Sequence, residues 1–440
     1  MEIIKKVALL SGLMLSTFSV VTMDMSDLDM YRRVCRKYPS DYLCKQTLKQ
    51  LNRLYTDITT CCTEVSELFT QIEAQGLGSG CFCPVEIDQQ SLTSGGNLPG
   101  GNILNPGYYC LVDDVSGTLR IAANNVIVNL NGYEIRTTTS QTVISIGGAG
   151  SIVHDVIVRN GSIRGVNSST GISSGDNTNN ILIEDINFGR QNTTALGTGI
   201  NITGTSTFVI NRCLFSNTQT ALELSGSREG KISNCLVQNC STSASVVNAS
   251  DLSSVVFTQN SFSNNSNSTV VDVVGCDSCV FKECNVDNNS GAVAVNFDNS
   301  SNCFCLLCQA NQNSSAIGFE VVNGSTRIVF DACRSLNNNT GFWLDSVNQN
   351  CIFNSFAQQN SVDGFLVNDG ANNYIHANTA INNTGAGFAG TGSNVWTSNF
   401  AQANGTNYTV GIPGPFAVFD LSDAMFTSTE TAWDNITVQP

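Results

Sequence analysis

The sequence predicts an all-β solenoid that is preceded by an α-helical segment with heptad periodicity. Three observations predict it. A unit of 21–25 residues repeats through the second half of the chain, each unit alternates apolar and polar residues, and residues 44–72 space apolar side chains by four and three. Such a repeat is typical of stacked coils, a period of two is typical of strands, and the heptad is typical of a helix.

The prediction divides the 440 residues into five parts. They are a signal peptide (1–22), a helical or coiled-coil segment (24–76), a linker (77–97), the solenoid (98–406) and a C-terminal cap (407–440). The repeat stops after Asn404. Because the last coil of a solenoid leaves an open edge, the remaining tail is expected to cover it.

The first residues predict export. Lys5 and Lys6 precede an apolar run over residues 7–21, which has the length of the apolar region of a signal peptide and is short for a membrane span. An uncleaved anchor is the alternative interpretation. No later segment is expected to span a bilayer, so the mature protein is predicted to be secreted, periplasmic or attached to the cell surface.

Charge excludes several classes of partner. The net charge is −15, and residues 77–440 hold all of it, with 11 basic and 26 acidic residues and no basic residue after Arg334. Nucleic-acid binding depends on Lys and Arg contacts to phosphate, so no nucleic acid is expected as a partner. Anionic membranes and polyanionic sugars are disfavoured for the same reason.

Residues 44–72 predict one amphipathic helix. The a and d positions of the heptads are Cys44, Leu48, Leu51, Tyr55, Ile58, Cys62, Val65, Phe69 and Ile72. The g positions Leu54, Cys61 and Leu68 widen the apolar face. Two alternatives stay open. The segment forms a coiled coil, for which the mostly β-branched d positions favour three or four strands and for which a homotrimer is the oligomer considered, or it packs on the end of the solenoid.

The repeat can be aligned on one anchor position and on an Asn four residues later. The anchors are Cys213, Cys235, Asn260, Cys284, Cys308, Cys333, Phe356, Thr379 and Phe400. The fourth residue after each is Asn217, Asn239, Asn264, Asn288, Gln312, Asn337, Asn360, Asn383 and Asn404. Asn tolerates a left-handed turn, and its amide can bond to the equivalent Asn of the next coil. A hydrogen-bonded ladder is therefore predicted.

A second position, three residues before the anchor, is predicted to face the core. It holds Ile210, Ile232, Phe257, Phe281, Cys305, Phe330, Phe353, His376 and Thr397. Each unit thus contains about three short strands separated by turns. Because no helix lies between the strands, the units are expected to stack as coils rather than to form βαβ motifs.

The segment "VIVNLNGYEI" (126–135) resembles the first-coil signature of the pectin-lyase-like superfamily, and the repeats resemble the NosD-type or generic β-helix repeat. The resemblance covers residues 98–406 and implies a right-handed parallel β-helix of a bacterial exported protein. "FTQN", "FSNN" and "SGAVAV" are also similar to repeats of chlamydial polymorphic outer-membrane proteins. The fold hosts enzymes, adhesins and spikes, so the resemblance implies no single function.

The motifs of the enzymes in this superfamily are not found. There is no paired-Asp, G-H-G and R-I-K set like that of the polygalacturonases. Asp113 and Asp114 are adjacent and would point to opposite faces of a strand. The nearest match to a lyase cluster consists of Glu184, Asp185, Arg190, Arg212 and Arg228. Of these, Glu184, Asp185 and Arg212 are weak catalytic candidates, and an ordinary surface position is the preferred interpretation.

Other motifs also favour structural roles. Gly385, Gly387 and Gly390 match G-x-G-x-x-G but no helix follows, so turn positions are predicted instead of a dinucleotide site. His376 is predicted to face the core. No metal and no cofactor are expected.

The cysteines of the repeat fall into two columns that are predicted to face the interior. One holds the anchors Cys213, Cys235, Cys284, Cys308 and Cys333, and the other holds Cys279, Cys303 and Cys351. Buried thiols are the preferred interpretation, with a disulfide between neighbouring coils, for example Cys284–Cys308, or a zinc site as alternatives. Better candidates for disulfides lie outside the columns: Cys44, Cys61, Cys62, Cys81, Cys83 and Cys110.

The functional prediction is an exported or surface β-helix protein that is a non-catalytic interaction or adhesin-like module. Its partner would be a host or cell-surface glycan or protein. The alternative is a carbohydrate-active enzyme or glycan-binding protein, that is, a lyase or hydrolase of the pectin-lyase-like kind. Carboxylates and aromatic residues clustered on one exposed column would favour the alternative, and the outer positions are expected to hold mainly Asn, Ser and Thr.

Overall fold

The computed structural model describes residues 85–92, 98–148, 152–189, 195–241, 244–313, 316–410, 418–420 and 435–438. This part of the chain forms an all-β parallel solenoid, as predicted. Its strands, numbered in chain order, build two sheets. The predicted signal peptide, the helical segment with its homotrimer, and Arg190 lie outside the described residues.

Sheet 2 takes one strand from each coil, and each strand pairs with the next coil's strand. Its strands are β2 (Asn102–Ile103), β5 (Leu119–Ile121), β8 (Ile144–Ile146), β10 (Thr170–Ser174), β12 (Leu196–Thr203), β15 (Thr218–Ser225), β18 (Ser245–Ser250), β21 (Thr269–Val274), β24 (Val293–Asp298), β27 (Ile317–Val322), β30 (Thr340–Asp345), β33 (Phe365–Asn368), β36 (Ala386–Gly390) and β39 (Thr406–Val410).

Sheet 1 is bent, and in most coils it takes two short strands. Its strands are β1 (Val85–Ile87), β3 (Gly107–Leu111), β4 (Val115–Ser116), β6 (Val126–Asn129), β7 (Glu134–Arg136), β9 (Val153–Arg164), β11 (Thr178–Phe188), β13 (Phe208–Asn211), β14 (Leu214–Ser216), β16 (Gly230–Ser233), β17 (Leu236–Gln238), β19 (Val256–Thr258), β20 (Ser261–Ser263), β22 (Val280–Lys282), β23 (Asn285–Asp287), β25 (Phe304–Leu306), β26 (Gln309–Asn311), β28 (Val329–Asp331), β29 (Arg334–Leu336), β31 (Cys351–Phe353), β32 (Phe356–Gln358), β34 (Tyr374–His376), β35 (Thr379–Ile381), β37 (Val395–Thr397), β38 (Phe400–Gln402), β40 (Val418–Asp420) and β41 (Asn435–Val438). A 3₁₀ turn spans Pro99–Gly101.

Both ends of the described chain lie in sheet 1. Strand β1 pairs with β3, so the chain enters the solenoid through this sheet. Strand β41 pairs with β38 and adds a strand beyond the last repeat. No helix in the described ranges is long and apolar enough to cross a membrane.

Left-handed residues turn the chain at each corner. Asn288, for example, has φ 56° and Glu283 has φ 54°, and the same corner positions recur from coil to coil. Asn and Gly adopt this conformation most readily, which explains why the turns are rich in both. The prediction that a recurring Asn occupies a left-handed turn is confirmed for Asn217, Asn239, Asn264, Asn288 and Asn337.

The predicted ladder forms at Asn360, Asn383 and Asn404, whereas in the coils before them it belongs to the residue after the predicted Asn. Asn265 donates its backbone N–H and its Nδ2 to Oδ1 of Asn289, both at 2.9 Å, and Asn289 bonds in the same way to Asn313. The series continues through Asn338, Asn360, Asn383 and Asn404. Its members before Asn404 are buried, whereas the left-handed Asn264 and Asn288 are exposed.

The predicted alignment was therefore wrong by one residue in its last three coils. The anchors there are Ser355, Asn378 and Asn399, not Phe356, Thr379 and Phe400, because Phe356 pairs with Arg334 on the outer face. The core position likewise holds Ile352, Ile375 and Trp396, and His376 is half-buried outside. A shift of one residue exchanges the two faces of a strand. The sequence alignment did not reveal this shift because the left-handed position and the ladder position are both rich in Asn.

Aromatic rings and thiols fill the interior. On sheet 2, Phe342, Phe365 and Phe388 stack in successive coils with ring centroids 4.8 and 4.9 Å apart. The anchor cysteines Cys213 to Cys333 are buried, as predicted, and all five are free thiols. Cys279 and Cys303 are buried thiols too, but Cys351 pairs with Val329 on the outer face and was wrongly assigned to their column.

The described cysteines are either free thiols or disulfide-bonded. Cys284 and Cys308 are thiols, so the disulfide considered for them does not form. Cys110 is disulfide-bonded, as the sequence favoured. The remaining candidates, from Cys44 to Cys83, lie outside the described residues.

Candidate functional site

One outward column of sheet 2 collects polar, acidic and aromatic side chains. Successive strands place Glu223, Asn248, Asp272, Asn296, Glu320 and Trp343 in register on the outer face, because each pairs directly with the next. Neighbouring parallel strands lie about 4.8 Å apart, so Asp272 and Glu320 are separated by about 10 Å at their Cα atoms. We call residues Asp272, Asn296, Glu320 and Trp343 the sheet-2 site.

Glu320 is half-buried at the centre of this site. Burial, followed by the negative charges of Asp345, Asp272 and Asp298, raises the pKa of Glu320 to about 7. A carboxyl group with such a pKa holds a proton for about half of the time at neutral pH. Glu320 can therefore donate a hydrogen bond or accept one.

Two polar atoms of the site have no partner. The indole Nε1 of Trp343 and the amide Oδ1 of Asn296 are buried and make no hydrogen bond. They belong to the two residues on either side of Glu320 in the ladder. One is a donor and the other an acceptor, and leaving such groups unsatisfied costs about 1–3 kcal/mol each. A ligand with hydroxyl groups could satisfy both only after the side chains turn outward, because neither atom is open to solvent in this structure.

The other side of the site is rigid. Asn296 donates its Nδ2 to Oδ1 of Asp272 at 2.9 Å, and Ser245 donates its hydroxyl to Oδ2 of the same carboxylate at 3.1 Å. Two residues further along the strands, Asp345 accepts from Nδ2 of Asn368 at 2.9 Å. These bonds hold the carboxylates in place beside Glu320 and the indole of Trp343.

The predicted cluster on sheet 1 is an ion-paired corner. Arg212 donates through Nε and NH2 to Asp185 at 2.8 and 2.7 Å and reaches Glu184 at 3.1 Å. The bidentate contact with Arg212 lowers the pKa of Asp185. The structure thus brings Glu184, Asp185 and Arg212 together, but all three charges are used within the cluster. Arg228 is exposed and lies at another corner, before β16.

The other residues singled out by sequence have structural surroundings. Asp113 and Asp114 lie in a bend between β3 and β4 rather than on a strand, and Oδ1 of Asp114 accepts the N–H of Glu134. Gly387 and Gly390 lie within β36, so their assignment to turns was wrong. A Cβ on Gly387 would come within 2.6 Å of the ladder residue Asn404, which explains the glycine.

Among the residues that the structure describes, no group of three or more His, Cys, Asp or Glu side chains is arranged to hold a metal ion. The Nδ1 of His154, for example, lies 2.7 Å from Oδ2 of Asp155, the next residue of the same strand, and these two residues are a pair and not a group of three.

Comparison with known proteins bears on the fold. Residues 119–273 match the family model described as "Right handed beta helix region". This match supplies the handedness that strand pairing alone leaves open. The chain is a right-handed parallel β-helix.

Solved β-helix structures match at low identity. They include the Dettilon tailspike protein (12% identity, TM-score 0.43, covering 69% of this chain and 61% of that one). They also include the A-module of the mannuronan C-5 epimerase AlgE6 of Azotobacter vinelandii (12%, 0.40, 76% and 91%) and the DFA-IIIase of Arthrobacter chlorophenolicus A6 (10%, 0.42, 67% and 83%). The chain spans less than two thirds of the tailspike. Similarity at this level gives no correspondence between residues.

No curated protein sequence matches this β-helix.

The sheet-2 site was not predicted from the sequence. In the sequence, the strands of sheet 2 are short apolar pieces such as "TALEL", "GFEVV" and "GFWLD". Aligned in the register of the β-helix, their outward residues are Glu223, Asp272, Asn296, Glu320 and Trp343. The expectation that outer positions hold mainly Asn, Ser and Thr is therefore wrong for this column.

Proposed function

We propose that this protein is an exported β-helix that binds a neutral, hydroxyl-rich glycan along the outer face of sheet 2. The partly exposed indole of Trp343 beside the partly exposed carboxyl of Glu320, in direct register on the outer face, carries the proposal. Aromatic rings bind the apolar faces of ligands, while a few polar groups fix their orientation.

The negative charge of the site restricts the class of glycan that can bind. Glu320, Asp272, Asp298 and Asp345 form an acidic surface with which uronic acids and sulfated sugars would clash. Uncharged hexose polymers, or amino sugars with a free amine, suit it better. The signal-like first residues support export, and the ligand would then be a glycan of a host or of a cell surface.

A first experiment measures binding to a polysaccharide panel by affinity electrophoresis and isothermal titration calorimetry. Trp343→Ala and Glu320→Gln are expected to weaken binding of a neutral glycan at least tenfold. Glu223→Gln, in the same column but four strands from Glu320, is the matched control and should bind like the wild type. Binding of polyuronates only, or equal binding by all variants, would contradict the proposal.

Hydrolysis of the glycan is a second candidate function. The raised pKa of Glu320 suits a general acid, and Asp272, two strands away at about 10 Å between Cα atoms, would serve as the general base. The carboxyl groups of inverting glycosidases are about 6.5–9.5 Å apart. Release of reducing ends that is lost in both Glu320→Gln and Asp272→Asn would favour this activity. Binding without release would favour the interaction module.

A further inference from the structure

The outer face of sheet 1 carries an apolar stripe that runs along the solenoid. One outward position of successive coils is apolar in every coil but one, and pairing places these residues in direct register. The outer stripe consists of Ile127, Ile157, Leu182, Val209, Lys231, Val256, Val280, Phe304, Val329, Cys351, Tyr374 and Val395. Lys231 is the single charged member.

The stripe is too long and too continuous to be ordinary surface. Eleven steps of about 4.8 Å give it a length of about 53 Å. Most members are half-buried by their neighbours, and Val395 at the far end is 47% exposed. Single apolar residues are common on protein surfaces, but a contiguous row of them marks a face that another element covers.

We propose that residues 44–72 of the same chain form an amphipathic helix that packs lengthwise on the outer stripe of sheet 1. These 29 residues would make a helix of about 44 Å, which is most of the length of the stripe. Their apolar face includes the a, d and g positions. That face is wider than the a/d seam of a coiled coil and has the width that a helix buries against a sheet.

The path of the chain sets the direction of this helix. The described chain enters sheet 1 at Val85, in the first coil. The 13 residue steps from Ile72 to Val85 can span at most about 43–47 Å when extended. Val85 lies two strands, or about 10 Å, before Ile127, so a helix that started at Ile127 and ran toward the later coils would put Ile72 about 54 Å from Val85, which is out of reach. Ile72 therefore lies at the first-coil end of the stripe, and Cys44 lies toward the later coils.

Charge favours the same direction. The first half of the segment carries Lys45, Lys49 and Arg53, and the second half carries Asp57, Glu64 and Glu67. In the solenoid, eight of the 11 basic residues precede Ile232, and none follows Arg334. An antiparallel helix places its basic half beside the acidic later coils and its acidic half beside the more basic early coils.

Limited trypsin digestion of the mature full-length chain tests the proposal, since Lys45, Lys49 and Arg53 are cleavage sites within the segment. In the wild type these sites are expected to be protected at every protein concentration, with a monomer mass by light scattering. The double variant Val280→Asp/Val329→Asp should be cut there at least tenfold faster. Val362→Asp, whose side chain is exposed away from the stripe, is the matched control.

A second variant avoids any change to the solenoid. Lys45→Glu/Lys49→Glu/Arg53→Glu reverses the basic half, and cleavage at an engineered site, Gln50→Arg, should be faster in this background than in Gln50→Arg alone. Equal cleavage of the wild type and Val280→Asp/Val329→Asp would overturn the proposal. So would a trimer whose protection disappears on dilution, because a coiled coil between chains would then occupy the segment.

Discussion

Glu320 on β27 and Trp343 on β30 are direct partners in the parallel ladder of sheet 2, with both side chains on the outer face. Burial and three neighbouring carboxylates raise the pKa of Glu320, while the indole N–H of Trp343 stays without a partner. A half-protonated acid and an unpaired donor thus lie side by side on a rigid strand pair. Unsatisfied buried polar groups number only a few per hundred residues in native proteins, and this site holds two of them.

Glu320 predicts a pH dependence of stability. Its pKa is about 7 in the folded protein and near 4.5 in the unfolded chain, so between these values only the folded state keeps the proton. The stabilisation is complete below pH 4.5 and is lost as the pH rises through 7. Allowing for solvent screening of a half-exposed group, the loss is about 1–2 kcal/mol.

Chemical denaturation at pH 4.5, 6 and 8 measures this dependence. Glu320→Gln should flatten the decline of the free energy of unfolding over this range, while Glu223→Gln should leave it as in the wild type. A decline of equal size in both variants would show that other carboxylates cause it.

The corrected register predicts opposite outcomes for two adjacent asparagines. Asn338 is buried, its N–H donates to Oδ1 of Asn360 at 3.0 Å, and its Nδ2 donates to Ser335 Oγ at 2.7 Å. Asn338→Ala should lower the free energy of unfolding by about 2–4 kcal/mol, because it opens a cavity and strands buried partners. Asn337→Gly, at φ 55°, should change it by less than about 1 kcal/mol. Thermal melts of both variants measure the difference, and a greater loss from Asn337→Gly would contradict the register.

The thiol columns predict chemical inertness. Ten of the described cysteines are buried free thiols, and burial raises the pKa of Cys284 next to Cys308. Because the thiolate is the reactive form, iodoacetamide should leave all ten unmodified in the native protein and modify them after unfolding. Peptide mass spectrometry measures which cysteines carry the iodoacetamide label. A Cys284–Cys308 crosslink in unreduced protein would be the contrary result.

The corner of Glu184, Asp185 and Arg212 is predicted to contribute little. The side chain of Arg212 is 51% exposed, and exposed ion pairs contribute about 0–1 kcal/mol. Arg212→Ala should therefore shift the melting temperature slightly and leave the glycan binding proposed for the sheet-2 site unchanged. Because Arg212 lowers the pKa of Asp185, the small stabilisation is present at neutral pH and is lost as the pH falls toward acid. Loss of binding in Arg212→Ala would move the functional site to sheet 1.

The architecture follows from the sequence because the repeat is local. A period of 21–25 residues, left-handed Asn turns and period-2 alternation are each encoded within one coil, so the solenoid and the buried thiols at Cys213 to Cys333 could be predicted. The same periodicity limited the prediction. Two adjacent Asn-rich positions concealed a slip of one residue, which misplaced His376 and Cys351.

The meeting of the residues of the sheet-2 site depends on how the coils stack in three dimensions. Asp272, Asn296, Glu320 and Trp343 are about two dozen residues apart in sequence and become neighbours because consecutive coils stack in parallel register. The pKa of Glu320 depends on the burial and the carboxylates that this stacking creates. Within one coil each of these residues is a single polar position on a strand. Stacking turns them into one surface, since it repeats the outward position every 4.8 Å or so along the axis.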